Sequence, residues 1–129
     1  ENKTREEIES AIEEKLGGSG WSGRSCAIVI QPELENWIWV NEIHMNSAVS
    51  WDQEISIYDW LILNGLKKSD ELKPRQPKEA FEAIIRRCNT PRSSSLYFEL
   101  ANTASYKYCQ DKAFLKLLSK MKEWFKVTT

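Results

Sequence analysis

The chain has 129 residues, 41% of them hydrophobic, with six tryptophans and a formal net charge of −1. That length predicts one domain over residues 1–129 with room for a core, and the composition excludes a disordered chain. No apolar run approaches the roughly 18 residues of a membrane span and no signal-peptide pattern opens the chain, so a cytoplasmic protein without a membrane partner is expected.

Three cysteines, at 26, 88 and 109, read as reduced thiols rather than a disulfide framework, and with His44 they lack zinc spacing. The chain opens at Glu1 in helix-like sequence without an initiator methionine, which predicts the C-terminal part of a longer chain. Charge is unevenly spread. Residues 1–60 hold twelve acids and four bases, whereas residues 61–129 hold seven acids and fourteen bases. Solvated helix faces of opposite sign account for such a split; a basic second half that meets nucleic acid or an acidic partner is the functional alternative.

Thr4-Arg5-Glu6-Glu7 has capping-box spacing. Ile8, Ala11, Ile12 and Leu16 then predict one apolar helical face, and Gly17-Gly18 a stop. The glycine-rich loop to Gly23 has neither the preceding strand nor the lysine of a phosphate-binding loop, so it reads as a connector, with Trp21 folding back onto the core. Cys26-Ala27-Ile28-Val29-Ile30 is a continuous apolar run, the pattern of a strand covered on both faces. Gln31-Pro32 ends it, and Glu33 to Ile38 reads as a helix with Leu34, Trp37 and Ile38 on one face. The rival reading makes Trp37 to Val40 a second strand, hairpinned to the first.

Asn41 to Ser50 is less regular and carries His44, which reads as an ordinary surface or capping residue. Ser56 opens a helix bearing Ile57, Trp60, Leu61 and Leu63 as far as Gly65. Pro77 occupies the first position of the clearest helix, whose stripe is Ala80, Phe81, Ile84, Ile85 and Cys88. Ser93 or Ser94 caps a helix with Leu96, Tyr97, Leu100, Ala101 and Ala104. Asp111 caps the last, with Phe114, Leu117, Leu118, Met121, Trp124 and Phe125 on one side and lysines around the rest. The fold expected is therefore helix-dominated α/β: a small, partly parallel sheet core around strand 25–30, with five or six helices. One strand needs ladder partners, because unmade backbone hydrogen bonds cost about 1–3 kcal/mol each. Either Trp37 to Val40 supplies them, or upstream sequence or another copy does.

Two constellations could carry chemistry. Glu33 and Glu35 follow the expected strand, where α/β sheets place their sites, and two carboxylates there can hold Mg²⁺ or divide acid and base roles. Lys73, Arg75, Lys78, Arg86, Arg87 and Arg92 form a basic series around the Pro77 helix, of the kind that contacts phosphates without reading bases.

Taken in order, Gln31-Pro32-Glu33-Leu34-Glu35-Asn36-Trp37, Lys73-Pro74, Pro77-Lys78-Glu79-Ala80, Pro91-Arg92-Ser93-Ser94-Ser95-Leu96, Cys109-Gln110-Asp111 and Phe114-Leu115 resemble a group of bacterial proteins from defence gene clusters. The group includes a small protein of the methylation-associated defence system and relatives of the TOPRIM fold. The resemblance spans about residues 25–125. It implies a TOPRIM-like domain whose defining Mg²⁺-binding acids lie on strands that this chain lacks, so only Glu33 and Glu35 carry over. The resulting expectation is a nucleic-acid-binding or -cleaving defence protein using Mg²⁺, with catalytic and metal-binding Glu33 and Glu35. The alternative is a non-catalytic module docking on other defence-system subunits.

Overall fold

The computed structural model describes residues 3–40, 42–107 and 109–126. By its internal contacts the chain falls into two compact units, Glu1–Gln31 with Cys109–Thr129, and Pro32–Tyr108.

In the first unit, helix α1 (Arg5–Leu16) starts where the capping box predicts, with the Thr4 hydroxyl accepting the Glu7 N–H at 3.1 Å. Its inward side is not the expected stripe. Glu9 is buried, whereas Ile12 is 41% exposed. The backbone runs on through one wide turn, Gly17–Trp21, broken by Gly20 at φ 86°, where a Cβ would be strained. Trp21 does not fold onto a core: it is exposed, with the Arg24 guanidinium 5.0 Å from its ring centroid.

Residues 25–30 explain the inversion of α1. No strand or sheet forms among the described residues, so the expected α/β fold with a sheet core around 25–30, and the TOPRIM-like arrangement implied with it, are corrected to a helical architecture. What replaces the ladder is charge. The Ala27 N–H donates to Glu13 Oε1 at 3.1 Å and the Val29 N–H to Glu9 Oε2 at 2.9 Å. The Ala27 carbonyl accepts from Lys116 Nζ at 2.8 Å, and the Val29 carbonyl from Arg5 at 3.3 Å. Alternate residues of extended backbone turn the same way, and acids one helical turn apart match that two-residue step.

Lys116 comes from helix α6 (Lys112–Trp124; the labels α2 to α5 belong to the second unit below), which is capped by the Asp111 carboxylate on the Phe114 N–H at 2.9 Å. Its ammonium lies 3.0 Å from both Glu9 and Glu13, and Arg5 pairs with Glu9 as well. Hydrogen bonds from Lys116 and from the Ala27 backbone hold the Glu13 carboxyl below its ordinary value. Burial works to lower the Lys116 pKa, but its bonds to Glu13 and Glu9 outweigh that and raise it.

The second unit holds the apolar core. After Pro32 the expected helix is a single 3₁₀ turn, Leu34–Trp37, and the rival strand at 37–40 is not formed either. Glu33 caps that turn with extended backbone, and the chain turns again at 38–40 toward α2 (Ile43–Val49); Asn41 lies outside the described residues. Trp39 is fully buried, and its indole N–H donates to the Pro77 carbonyl at 2.9 Å, so the largest core side chain is satisfied at its polar end. Its ring lies 6.1 Å from that of Tyr58.

Helix α3 (Ile57–Leu63) is capped by the Ser56 hydroxyl on the Asp59 N–H and followed by Gly65 at φ 72°. Helix α4 (Pro77–Arg87) begins on proline, and α5 (Ser94–Thr103) is capped by the Ser93 hydroxyl on the Leu96 N–H. Around Trp39 are gathered Met45 and Val49 of α2, Ile57 and Leu61 of α3, Ala80, Phe81, Ile84 and Ile85 of α4, and Leu96 and Leu100 of α5. The stripe expected on α4 faces this core, and so do Ile57, Trp60 and Leu61 of α3 and Leu96, Tyr97 and Leu100 of α5, whereas Leu63 is 75% exposed and Ala101 is exposed.

Replacing Lys116 by methionine keeps the stem but leaves Glu13 and the Ala27 carbonyl without their cation and Glu9 with Arg5 alone. The expected loss is about 2 kcal/mol in denaturant unfolding. The pH dependence follows from the two shifts. Glu13, with a lowered folded pKa, contributes stability above its ordinary 4.5 that is lost as pH falls through the folded value. Lys116, with a raised one, contributes below 10.5 and loses it as pH rises through the folded value. A Lys116→Met chain as stable as the native one at neutral pH contradicts the assignment.

Candidate functional site

The two glutamates expected to be catalytic lie at the 3₁₀ turn and are held by different partners. Glu33 Oε1 accepts the Lys78 backbone N–H at 2.9 Å, capping the first turn of α4 from outside it. Glu35 is buried, and its Oε1 accepts from the Tyr97 hydroxyl at 3.2 Å and from Arg92 Nη2 at 3.3 Å. Arg92 also donates to Glu82 at 2.8 Å and lies 5.9 Å from the Tyr97 ring centroid. The carboxylates thus tie the turn to α4 and to α5. Among the described residues no three acids, histidines or cysteines are grouped to hold a metal ion.

The basic series is dispersed in the same unit. Lys73 Nζ donates to the Asn36 carbonyl at 3.1 Å, Arg75 pairs with Glu71 at 2.9 Å, and Arg92 is spent on two acids. Lys78 lines a shallow cleft with Glu33, Glu79 and Glu82, where the acids outnumber it. Arg86 and Arg87 remain. They flank Trp60 and Ala83 in a mostly apolar recess of about 250 Å³, with Arg87 also reaching Gln53 at 2.8 Å.

His44, expected at the surface or as a cap, is buried in α2 with Nε2 2.7 Å from the Ile38 carbonyl. Nitrogen facing a carbonyl must carry the proton, so Nε2 donates. Burial lowers its pKa, against the opposing pull of that carbonyl. Burial and then Asp52 raise the Cys88 thiol against the pull of Arg87, which makes it a poor nucleophile.

The surface that the sequence did not single out is on α6. Of the apolar side expected to be covered, Leu118 is 40% exposed, Met121 48%, Trp124 43% and Phe125 62%, and the neighbouring Leu115 is 44% exposed. At 100° per residue, Leu118, Phe125 and Met121 lie within about 60° of arc, with Lys122 between Leu118 and Leu115 and Lys126 just beyond Leu115. Neither lysine has an ion-pair partner among the described residues. The signal was present in the sequence as an amphipathic pattern. What it lacked was any indication that α6 turns Lys116 and Ala113 inward instead of its widest apolar arc.

Truncating Glu35 to alanine strands the Tyr97 hydroxyl and should cost about 1–3 kcal/mol, and Glu33→Ala should cost about 1 kcal/mol as a lost cap. Millimolar Mg²⁺ should leave the melting temperature of the native chain unchanged. A Mg²⁺-dependent rise that Glu35→Ala abolishes would reinstate the acids as a metal site.

Compared with protein-family models, curated proteins and solved structures, the chain matches none.

Proposed function

We propose that the protein is a non-catalytic interaction module, and that the exposed strip of α6 receives an acidic amphipathic helix of a partner subunit. The observation that carries this reading is the exposed group of Leu118, Met121 and Phe125, with Leu115 on the far side of Lys122, and with no ion-pair partner for Lys122 or Lys126 among the described residues. Burying each large apolar side chain is worth about 1.5–3 kcal/mol, and cations at the rim select a partner with carboxylates beside its own apolar residues. Glu33 and Glu35, engaged with α4, Tyr97 and Arg92, support a structural role for the acids over a catalytic one. The resemblance of the ordered motifs to proteins of bacterial defence clusters is the ground for proposing a setting among the subunits of such a system.

Nucleic-acid binding keeps a narrower basis. Arg86, Arg87 and Trp60 suit one stacked base and its phosphate. The two arginines of this recess alone fall well below the ~6–10 phosphate contacts of strongly salt-dependent binders.

The probe is a synthetic helix with leucines at i, i+3, i+4 and i+7 flanked by glutamates, followed through Trp fluorescence. Saturable binding is expected, weakened tenfold or more by Leu118→Glu with Phe125→Glu, and absent for the same peptide with lysines in place of glutamates. Equal binding of both peptides, or a preference for anionic lipid vesicles over the acidic peptide, contradicts the proposal.

A further inference from the structure

Charged side chains of α1 and α6 satisfy only one edge of residues 25–30. Cys26, Ile28 and Ile30 turn their N–H and C=O groups the other way, and none of those groups has a hydrogen-bond partner among the described residues. Edges left open in natural proteins are usually guarded by a lysine, a proline or a bulge, and Cys26 to Ile30 contains no charge or proline. We propose that a second copy of this chain pairs with this edge, antiparallel, about a twofold axis at Ile28.

The register is self-consistent. With Ile28 opposite Ile28, Cys26 falls opposite Ile30, and every outward-turned residue meets another outward-turned residue. Three such pairs exchange about six backbone hydrogen bonds. The ladder is also bounded where the next pair, Arg24 with Pro32, would fall. The Arg24 N–H is already spent on the Trp21 carbonyl at 3.0 Å, and proline has none to give. Charge selects the antiparallel sense. It sets the Arg24 end of one segment beside the Pro32-Glu33 end of the other, whereas a parallel pairing would set arginine beside arginine. A five-residue pairing alone buries less than the ~1,000 Å² of a durable interface, so the dimer is reversible and dependent on concentration.

This inference goes beyond the α6 reading and uses a different measurement, so failure of one leaves the other standing. Sedimentation of the whole chain across a series from about 1 µM to about 1 mM should show the mass rising from 15.0 kDa toward twice that value. Ile28→Pro removes an N–H that has no acceptor among the described residues of the same copy. It should hold the chain monomeric with its helical circular dichroism intact. Ile30→Cys under air oxidation should give a dimer on a non-reducing gel, lost when Cys26→Ser is added. Within one copy, positions 26 and 30 lie about 13 Å apart along extended backbone, beyond disulfide reach. A monomer at every concentration overturns the proposal, and so does a dimer that Ile28→Pro leaves intact.

Discussion

Two carboxylates one turn apart on a helix can do for an extended backbone what a neighbouring strand does. Glu9 and Glu13 accept the N–H groups of Val29 and Ala27, while Arg5 and Lys116 donate to the carbonyls of the same two residues. The first unit depends on this exchange. Its fully buried side chains are few, and among them Glu9 is charged, so a conventional apolar core does not hold it. Burying a carboxylate is costly unless it is paired and hydrogen-bonded. Glu9 meets that condition through Arg5, Lys116 and the Val29 N–H. A device of this kind fixes which residue of the strand-like segment meets which turn of α1, because a one-residue slip would present the wrong edge to the acids.

The second unit is stabilised differently. Trp39, Phe81 and the aliphatic side chains of α2 to α5 form an ordinary apolar core, and the polar groups near it are matched one by one. The indole of Trp39 meets Pro77, His44 meets Ile38, and Glu35 meets Tyr97 and Arg92. Glu33 and Glu35 belong to this matching. Glu33 accepts the N–H of Lys78 at the start of α4, and Glu35 ties the 3₁₀ turn to Tyr97 and Arg92. The same chemistry that makes a carboxylate a candidate acid or metal ligand also makes it a good helix cap, and the two uses differ only in what lies opposite.

Much of the helical content was legible in the residues. Thr4, Ser56, Ser93 and Asp111 each cap the helix expected of them, and Pro77 starts α4. These signals are local, so a single sequence carries them in full. The apolar run Cys26 to Ile30 was misleading for an equally physical reason. Periodicity reports what the side chains prefer to contact, and it is silent on which groups satisfy the backbone. The partners are the polar side chains of Glu9, Glu13 and Lys116, between 14 and 89 residues away in sequence. The same blind spot hid the free strip of α6. An amphipathic stripe announces that a face is apolar, and says nothing of how much of it the chain itself will cover.

The account stands on the pairing of individual acids with individual amides of residues 25–30. Residue-resolved hydrogen exchange reads that pairing directly in single-acid variants. Glu13→Ala should deprotect the Ala27 amide while sparing Val29, and Glu9→Ala should deprotect Val29. Loss of protection spread evenly along the segment, or protection of both amides unchanged in both variants, would show that something other than these carboxylates holds the extended backbone.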